Sequence, residues 1–383
     1  MMHRLIKLLP IAALAVLLAA GLVVAGCGDS DEATTTTAAA TPTTVASTGT
    51  TAAAPETTTP ATEPATATTG EPAKKVVLRL PMGPPDGDPL VTPAQAMADR
   101  FNARTNGTYE IQCYPGGSLI AVPEQLDACR TGATEMTFTV LGMYAGLDPR
   151  MAIVELPFIF NNAEALQAAH NDEMVALYDS MISSQFNQKV LGLTHIGFVE
   201  IIGTKPVKTL DDWDGLLVGV NSAAHVDAFQ ALGAQTVIID WTESYSNLDK
   251  GVVDTVQGAT TYMWIAELYN VGKYSTWMAG LAGNYGMHVN LDVWNAMPPD
   301  IQQILQEEVT TACVELNQVH TDILKPNYDK LVENGCEVFI AEGAERDAWK
   351  AACAPIVEAR MAEFGEFGTK FMSLVDAANA AHP

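Results

Sequence analysis

The sequence predicts an α/β protein of two lobes, with one long helix that spans both. Strand and helix patterns alternate from residue 76 onward and again from about residue 190, which predicts parallel strands wrapped by helices. From Pro298, apolar residues recur at helical spacing on one face for roughly thirty residues. Two strand–helix sets separated by a long middle segment favour two lobes, and a helix of that length could brace both.

The first set begins with an apolar run at 76–80 that ends in a Gly/Pro-rich loop, the pattern of a first strand. A helix is predicted at 92–104, where a proline stands at the first helical position. An alternating strand follows at 109–114, then a helix at 122–130 and a third strand at 135–141. This order is typical of a parallel sheet covered by helices.

The second set repeats the pattern. Strands are predicted at 190–195, 215–220 and 236–239. A helix at 222–232 connects the last two strands, and a further helix at 243–250 ends at a glycine. These elements predict the second α/β lobe.

The N-terminus has the features of an export signal. Arg4 and Lys7 give a short basic start, and residues 8–24 carry no charge. The run ends in VAGC at 24–27, which resembles the bacterial lipobox and implies that Cys27 is acylated. A transmembrane anchor is the alternative, but it needs about 20 apolar residues and this run is slightly short. The signal and lipobox are therefore assigned to residues 1–27.

Residues 28–75 differ in composition from the rest of the chain. Thr, Ala and Pro dominate them, and they contain no aromatic residue. Such a segment cannot bury enough apolar surface to offset the entropy of ordering it. We expect a disordered tether that joins the lipid to a globular part at 76–383 and keeps it on the extracytoplasmic face of the cell membrane.

The charge balance excludes some partners. The chain has 20 Lys and Arg against 45 Asp and Glu, a net charge of −25. Nucleic-acid binding needs a basic surface, so we expect no nucleic-acid partner. Electrostatic docking on anionic lipid is disfavoured for the same reason.

Five cysteines follow the lipobox cysteine. They lack a Cys-x-x-Cys pair and clustered histidines, so we expect no metal site. Cys113 with Cys129, and Cys336 with Cys353, are close enough in sequence to close small loops in an exported protein. Buried free thiols are the alternative for these four and for Cys313.

Six blocks of the globular part resemble, in order, the solute-binding proteins of TRAP transporters of the DctP type. Each block alone is a weak signal, but six at the right separations are a strong one. The blocks are PGGSL at 115–119, LPFIF at 156–160, TKPVKTLDDWDGL at 204–216, ESYSNLDKGVVD at 243–254, YNVGKY at 269–274 and NLDVWNAMPPDIQ at 290–302.

This resemblance implies a two-lobe periplasmic-binding-protein-like fold that holds a small molecule in the cleft between its lobes. It places lobe I at about 76–198 and 285–325, and lobe II at about 199–284 and 326–383. It further implies delivery of the solute to the membrane subunits of a TRAP permease, which an ion gradient drives. The family performs no catalysis, so no catalytic residue or cofactor is expected; the role depends on ligand-stabilised closure.

The chain departs from the family at two polar positions. An arginine that commonly holds the ligand carboxylate is replaced by Gly219, and an asparagine is replaced by Gly258. A glycine at such a position is expected to widen the pocket. A local slip of the alignment would instead misplace the arginine.

Two ligand classes remain open at this point. A carboxylate could still be held by Arg79 or by the helix N-terminus that follows Asn221 and Ser222. Alternatively, an uncharged or cationic ligand could face Glu200 or Asp240.

The loops expected at the cleft supply candidate wall residues, mostly apolar and aromatic, as ligand pockets usually are. For each aromatic residue, packing in the core is the alternative, and for Glu200 it is an exposed surface position. The candidates are Met82, Tyr144, Phe158, Glu200, Gly219, Asn221, Trp241, Thr260, Thr261 and Tyr262.

Other functions have less support. The chain has no Gly-x-Ser-x-Gly elbow and no phosphate-binding Gly-x-x-x-x-Gly-Lys loop, and its histidines are scattered. An extracellular hydrolase or sensor domain on a two-lobe scaffold is one alternative. A binding protein that serves an ABC importer or a membrane receptor is another.

Overall fold

The computed structural model describes residues 75–383. The signal, Cys27 and all but the last residue of the predicted tether lie outside the described residues. The strands are β1 (Val76–Pro81), β2 (Tyr109–Tyr114), β3 (Met136–Val140), β4 (Gln188–Gly203), β5 (Leu217–Val220), β6 (Gln235–Ile238), β7 (Thr255–Ala259), β8 (Tyr274–Asn290) and β9 (Glu337–Ile340). The helices are α1 (Val91–Arg104), α2 (Gln125–Thr131), α3 (Ala163–Ala169), α4 (Asp172–Phe186), α5 (Ala223–Ala231), α6 (Ser244–Asp249), α7 (Thr260–Ile265), α8 (Leu291–Ala296), α9 (Pro299–Glu333) and α10 (Gly343–Ala381).

Two long antiparallel strands connect the lobes. The first half of β4 pairs with the second half of β8, and β3 continues this sheet on the other edge of β8. A single bridge between Met82 and Phe138 joins β3 to the parallel pair β1–β2, which completes the sheet of lobe I. In lobe II, the second half of β4 pairs with β7, then β5 and β6 follow in parallel, and β9 pairs with β8.

The register of β4 and β8 shifts where the strands pass from one lobe to the other. Shifts occur between His195 and Phe198 and between Val199 and Ile201. At the second shift, four residues of β8 bulge out, and Ala279 within the bulge has φ 46°. Such bulges bend strands, so the lobes meet at an irregular pair of crossing strands.

Each lobe packs helices on both faces of its sheet. In lobe I, α1 and the first part of α9 cover one face, and α3, α4 and the end of α10 cover the other. In lobe II, α5 and the first part of α10 cover one face, while α7 and the end of α9 cover the other. Leu305 of α9 lies in the lobe I core and Leu331 in the lobe II core. The long helix therefore spans both lobes, as the sequence predicted.

Two expectations need correction. The strands are not all parallel, because β4 and β8 cross both lobes in opposite directions and pair along their length. The C-terminal residues do not all belong to lobe II: after a break at Gly365, where φ is 56° and ψ is −126°, the last part of α10 returns to lobe I. There Phe371 and Val375 are fully buried against α3 and α4.

The five cysteines of the described part are free thiols. Cys113 points to the carbonyl of Ala94, 3.8 Å from its Sγ, and not to Cys129. Likewise, Cys353 points to the carbonyl of Ala228 at 3.7 Å. Disulfides and free thiols were both open from the sequence, and the structure shows free thiols. Within residues 75–383, no helix combines the length and apolar character needed to cross a membrane.

Candidate functional site: a cavity between the lobes

A cavity of about 240 Å³ lies between the two lobes. Most of its walls are apolar or aromatic. Lobe I and the crossing strands supply Pro85, Leu90, Val122, Val140, Met143, Ile196, Val199 and Tyr285, lobe II supplies Trp241, Ala259, Tyr262 and Ile265, and α9 supplies Ile323. The walls of this one cavity therefore come from both lobes and from α9.

A polar cluster at one end of the cavity joins the lobes. Glu155 ends a 3₁₀ segment of lobe I, and Ser222 caps α5 of lobe II. The Ser222 hydroxyl donates to Oε2 of Glu155 at 2.7 Å. Nε2 of His225, in the first turn of α5, lies 3.3 Å from the same oxygen but is not aligned for a hydrogen bond. Burial raises the pKa of the Glu155 carboxyl, against the effect of His225 and Ser222.

Behind this cluster, lobe II fixes the imidazole ring of His225. The side-chain amide of Gln257 of β7 hydrogen-bonds Nδ1 of His225, with its nitrogen 2.9 Å and its oxygen 3.2 Å away, and donates to Oδ1 of Asn221 at 2.5 Å. The other ring nitrogen, Nε2, faces Glu155. The orientation of Asn221 and His225 is therefore set by one buried amide.

Gly142 makes room for the Glu155 side chain. A Cβ atom at Gly142 would lie 1.4 Å from Oε1 of Glu155. Any larger residue would displace the carboxylate, because real atoms do not approach so closely. The turn at Leu141–Tyr144 therefore holds Glu155 at the cavity wall.

A second carboxylate belongs to Asp88, in the loop between β1 and α1. Its Oδ1 accepts a hydrogen bond from the backbone N–H of Leu90 at 2.8 Å. Burial raises the pKa of Asp88, although this hydrogen bond opposes the shift. Both acidic groups of the cavity thus come from lobe I.

Two aromatic rings form the lobe II wall. Trp241 and Tyr262 meet edge to face, with ring centroids 5.5 Å apart. The Tyr262 hydroxyl donates to the carbonyl of Trp241. A Cβ atom at Gly258 would lie 2.8 Å from Cδ1 of Tyr262, so the glycine allows this ring to lie against the strand.

Four of the predicted wall residues line the cavity: Asn221, Trp241, Thr261 and Tyr262. Four others are buried, and their side chains pack in the core or form hydrogen bonds within the protein. Met82 and Phe158 are core residues that are at most 2% exposed. The hydroxyl of Tyr144 bonds the carbonyl of Val122 at 2.9 Å, and the hydroxyl of Thr260 accepts from Asn327 at 3.2 Å.

Gly219 does not widen the cavity. A Cβ atom there would lie 2.7 Å from Cδ1 of Ile239 and 3.3 Å from Cγ1 of Val256. The space that an arginine would need is thus filled by Ile239, as that at Gly258 is filled by Tyr262. The expectation of a wider pocket is wrong. The side chains of Ile239 and Tyr262 occupy the space beside the two glycines.

Glu200 also lies elsewhere, and it is not a surface carboxylate. It is 4% exposed and accepts hydrogen bonds from the backbone N–H groups of Met278 and Ala279, at 2.5 and 3.2 Å. It therefore holds the bulge of β8 in place. Asp240, the other acidic candidate, caps the turn at Thr242 through a 2.8 Å hydrogen bond and is not in the cavity wall.

Arg79 does not serve the cavity. Its guanidinium pairs with Glu135, at 2.7 and 2.8 Å, on the far part of lobe I. Within the described part of the chain, neither a lysine nor an arginine lines the cavity. Nor do three or more His, Cys, Asp or Glu side chains of residues 75–383 come together as metal ligands.

Sequence reasoning missed four polar wall residues: Asp88, Glu155, His225 and His320. Glu155 directly precedes the LPFIF block, and Asp88 lies in the predicted loop after β1. These positions could have been proposed from the same loops. His320 gave no signal, because it lies in the middle of a regular helix.

The comparisons with known proteins agree with this architecture. The sequence profile of the bacterial extracellular solute-binding protein family 7, DctP, matches residues 82–363. The chain belongs to this family. The predicted resemblance to TRAP solute-binding proteins and the two-lobe α/β fold are thereby confirmed.

Among curated relatives, the C4-dicarboxylate-binding periplasmic protein DctP of Rhodobacter capsulatus is 26% identical over 75% of this chain and 85% of its own length. Among solved structures, a TRAP periplasmic solute-binding protein of Ochrobactrum anthropi superposes with a TM-score of 0.75 at 22% identity, covering 81% of this chain and 98% of its own. One from Haemophilus influenzae with bound L-gulonate has a TM-score of 0.73 at 20% identity, covering 79% and 100%. These structures share the fold.

Proposed function

We propose that this family 7 protein binds a small organic solute in the cavity between its lobes and delivers it to a TRAP-type permease. The relatives bind solutes for transport, and the structure supports the same role without any chemical step. The observation that carries the proposal is the position of the cavity. Glu155 of lobe I, Ser222 of lobe II and Ile323 of α9 all border one space of about 240 Å³.

The proposal extends to how the solute is held. Asn221, Trp241, Thr261 and Tyr262 are proposed as ligand contacts on lobe II, opposite Glu155 on lobe I. A ligand that touches both sides stabilises the closed arrangement by its differential affinity for it. Met82, Tyr144, Phe158, Glu200, Gly219 and Thr260 are not proposed as contacts, since they do not reach the cavity.

A thermal-shift screen of acids, amino acids, sugars and amines tests the binding role. Ala259 lines the cavity at the end of β7, so Ala259→Phe should fill part of it and abolish the ligand-dependent shift. Ala231→Phe, at an exposed position on α5, is the matched control and should leave the shift intact. A ligand that stabilises Ala259→Phe as strongly as the wild type would bind outside the cavity and contradict the proposal.

We further propose that the chain is held at the extracytoplasmic face of the membrane by acyl chains on Cys27. The support is the VAGC sequence after an uncharged run. Cys27→Ser should release the globular part from membranes or stall processing. A correctly cleaved Cys27→Ser protein that still partitions with membranes would refute the anchor and leave the binding role standing.

The partner could instead be an ABC importer or a membrane receptor. The family favours the TRAP permease, since its solved relatives are TRAP solute-binding proteins. Solute uptake that requires an ion gradient and persists without ATP hydrolysis would support the TRAP assignment. Uptake that stops when ATP is depleted while the gradient is clamped would support the ABC assignment.

A further inference from the structure

The cavity wall carries two acidic side chains and, among the described residues, no basic one other than His225 and His320. Asp88 and Glu155 line it, and no lysine or arginine of the described residues does. A carboxylate ligand would place its negative charge beside these two acidic groups, without a lysine or arginine to pair with it. Such a burial is strongly unfavourable unless the charge is paired.

Each of the two carboxylates has one oxygen bound by the protein and one left open. Ser222 donates to Oε2 of Glu155, and the backbone of Leu90 donates to Oδ1 of Asp88. Among residues 75–383, nothing donates a hydrogen bond to Oε1 of Glu155 or Oδ2 of Asp88. These two oxygens are free to accept hydrogen bonds, so a ligand that supplies N–H donors could bind either carboxylate through charge-assisted hydrogen bonds.

His320 bears on the charge of the cavity wall. It is 7% exposed, lines the cavity from α9, and its Nε2 is buried without a hydrogen-bond partner. Burial, together with the nearby His170, lowers the pKa of His320 to about 4. His320 is therefore a neutral ring that packs against His195, with ring centroids 5.0 Å apart, and adds no positive charge to the cavity wall.

The aromatic walls also suit a cation. Trp241, Tyr262 and Tyr285 border the same space as the two carboxylates. A cation over an aromatic face within about 6 Å is attracted by the ring quadrupole, most strongly when it is shielded from water. Apolar groups of the ligand would pack on Leu90, Val140 and Ile196.

We propose that the solute is an organic cation, with an ammonium-type group that carries N–H donors on an apolar body. The ammonium group pairs with Glu155 and Asp88 of lobe I, and the body contacts Trp241 and Tyr262 of lobe II. This inference rests on the proposed binding function and names the ligand class of that site.

Calorimetry on the purified full chain with three probes of one shape tests the ligand class. The probes are 3-phenylpropylamine, 3-phenylpropanol and 3-phenylpropanoate, which share a phenyl ring on a three-carbon chain and differ in the polar group at its end and in that group's charge. The amine should bind about tenfold or more tighter than the alcohol, the ratio expected for one charged hydrogen-bond partner, and the carboxylate should bind weakest. A carboxylate that binds tightest would overturn the inference.

Variants of the two carboxylates test whether the difference in affinity between the amine and the alcohol arises in the cavity. Glu155→Gln and Asp88→Asn keep the side-chain shapes and should each weaken the amine about tenfold or more while sparing the alcohol. Glu358→Gln, at an exposed position of α10, is the control. Equal loss for amine and alcohol would indicate structural damage and overturn the charge pairing. Unchanged amine affinity in both variants would do so as well.

The pH dependence separates the inference from the binding function. Burial raises the pKa of Glu155 and of Asp88, so their carboxylates ionise at higher pH than usual. Ser222 and His225 face Glu155, and Tyr285 and the Leu90 amide lie at Asp88. Amine affinity should rise with pH through this range, whereas that of a carboxylate should fall.

Tight binding of a carboxylate that Ala259→Phe abolishes would contradict the cation inference alone. Absence of binding by amines, acids, sugars and alcohols alike would sink both proposals.

Discussion

Gly142 lies so close to Glu155 that a Cβ atom would come 1.4 Å from Oε1 and 2.4 Å from Cδ. The glycine therefore decides where a buried carboxylate can lie. Gly219 and Gly258 lie in β5 and β7, where Ile239 and Tyr262 approach to within 2.7 and 2.8 Å of a Cβ position. At the residue scale, small residues shape the cavity, and the sequence could not show which neighbour fills the space that each one leaves.

Gly142→Ala should therefore move Glu155 and destabilise the fold. Overpacking of this kind costs typically about 1–3 kcal/mol of unfolding free energy. Gly146→Ala is the matched control, because a Cβ atom at Gly146 meets nothing within 4 Å, and its effect should stay within about 0.5 kcal/mol. Denaturant unfolding of both variants measures the difference, and equal stability of the two would show that Glu155 is not held as described.

Glu200 predicts a pH effect on stability. Burial raises the pKa of its carboxyl from 4.5 to about 8, although the amides of Met278 and Ala279 and the charge of Arg346 oppose the shift. Between these pH values the folded protein keeps a proton that the unfolded chain has lost. The contribution to stability is thus fully present below pH 4.5 and is lost as the pH rises through about 8, by at most about 1.4 kcal/mol per pH unit.

Glu200→Gln cannot titrate, so its unfolding free energy should fall less than that of the wild type between about pH 5 and about pH 8. Chemical denaturation at the two pH values measures this. Glu358→Gln, at an exposed position, should keep the wild-type slope. Parallel pH profiles for Glu200→Gln and the wild type would contradict the raised pKa.

At the scale of elements, pattern reasoning located those with clear periodicity. Strands at 76–80 and 109–114, the helix at 92–104 and the long helix from Pro298 all have counterparts at those positions. Strand β8 was missed. Its Gly- and Ala-rich sequence is buried on both faces, so it lacks the alternation that marks a half-exposed strand. Without β8, the antiparallel crossing of the lobes could not be predicted.

The break in α10 was also not predictable from periodicity, because it depends on contacts across the molecule. Past Gly365, the helix returns to lobe I and buries Phe371 completely. Phe371→Ala should lower the unfolding free energy by about 3–5 kcal/mol, the range for truncating a buried phenylalanine. Lys370→Ala, at an exposed neighbour, should have little effect in the same denaturation experiment. A small effect of Phe371→Ala would mean that the helix end does not pack on lobe I.

At the scale of the whole molecule, four elements tie the lobes together: β4, β8, α9 and α10. The cavity lies among them, and Glu155 with Ser222 already links its two sides. The motifs of the sequence were sufficient for the family and the two lobes. They were not sufficient for the site, since its carboxylates come from a loop and a 3₁₀ segment of lobe I that only the folded chain brings to one space.

We expect the solute to bind between the lobes and to contact both. The most direct test is a crystal structure of the protein with the tightest ligand from the screen. We predict ligand density in the cavity, within hydrogen-bond distance of Glu155 on lobe I and in contact with Trp241 and Tyr262 on lobe II. A ligand bound outside the cavity, or one that touches a single lobe, would contradict the account.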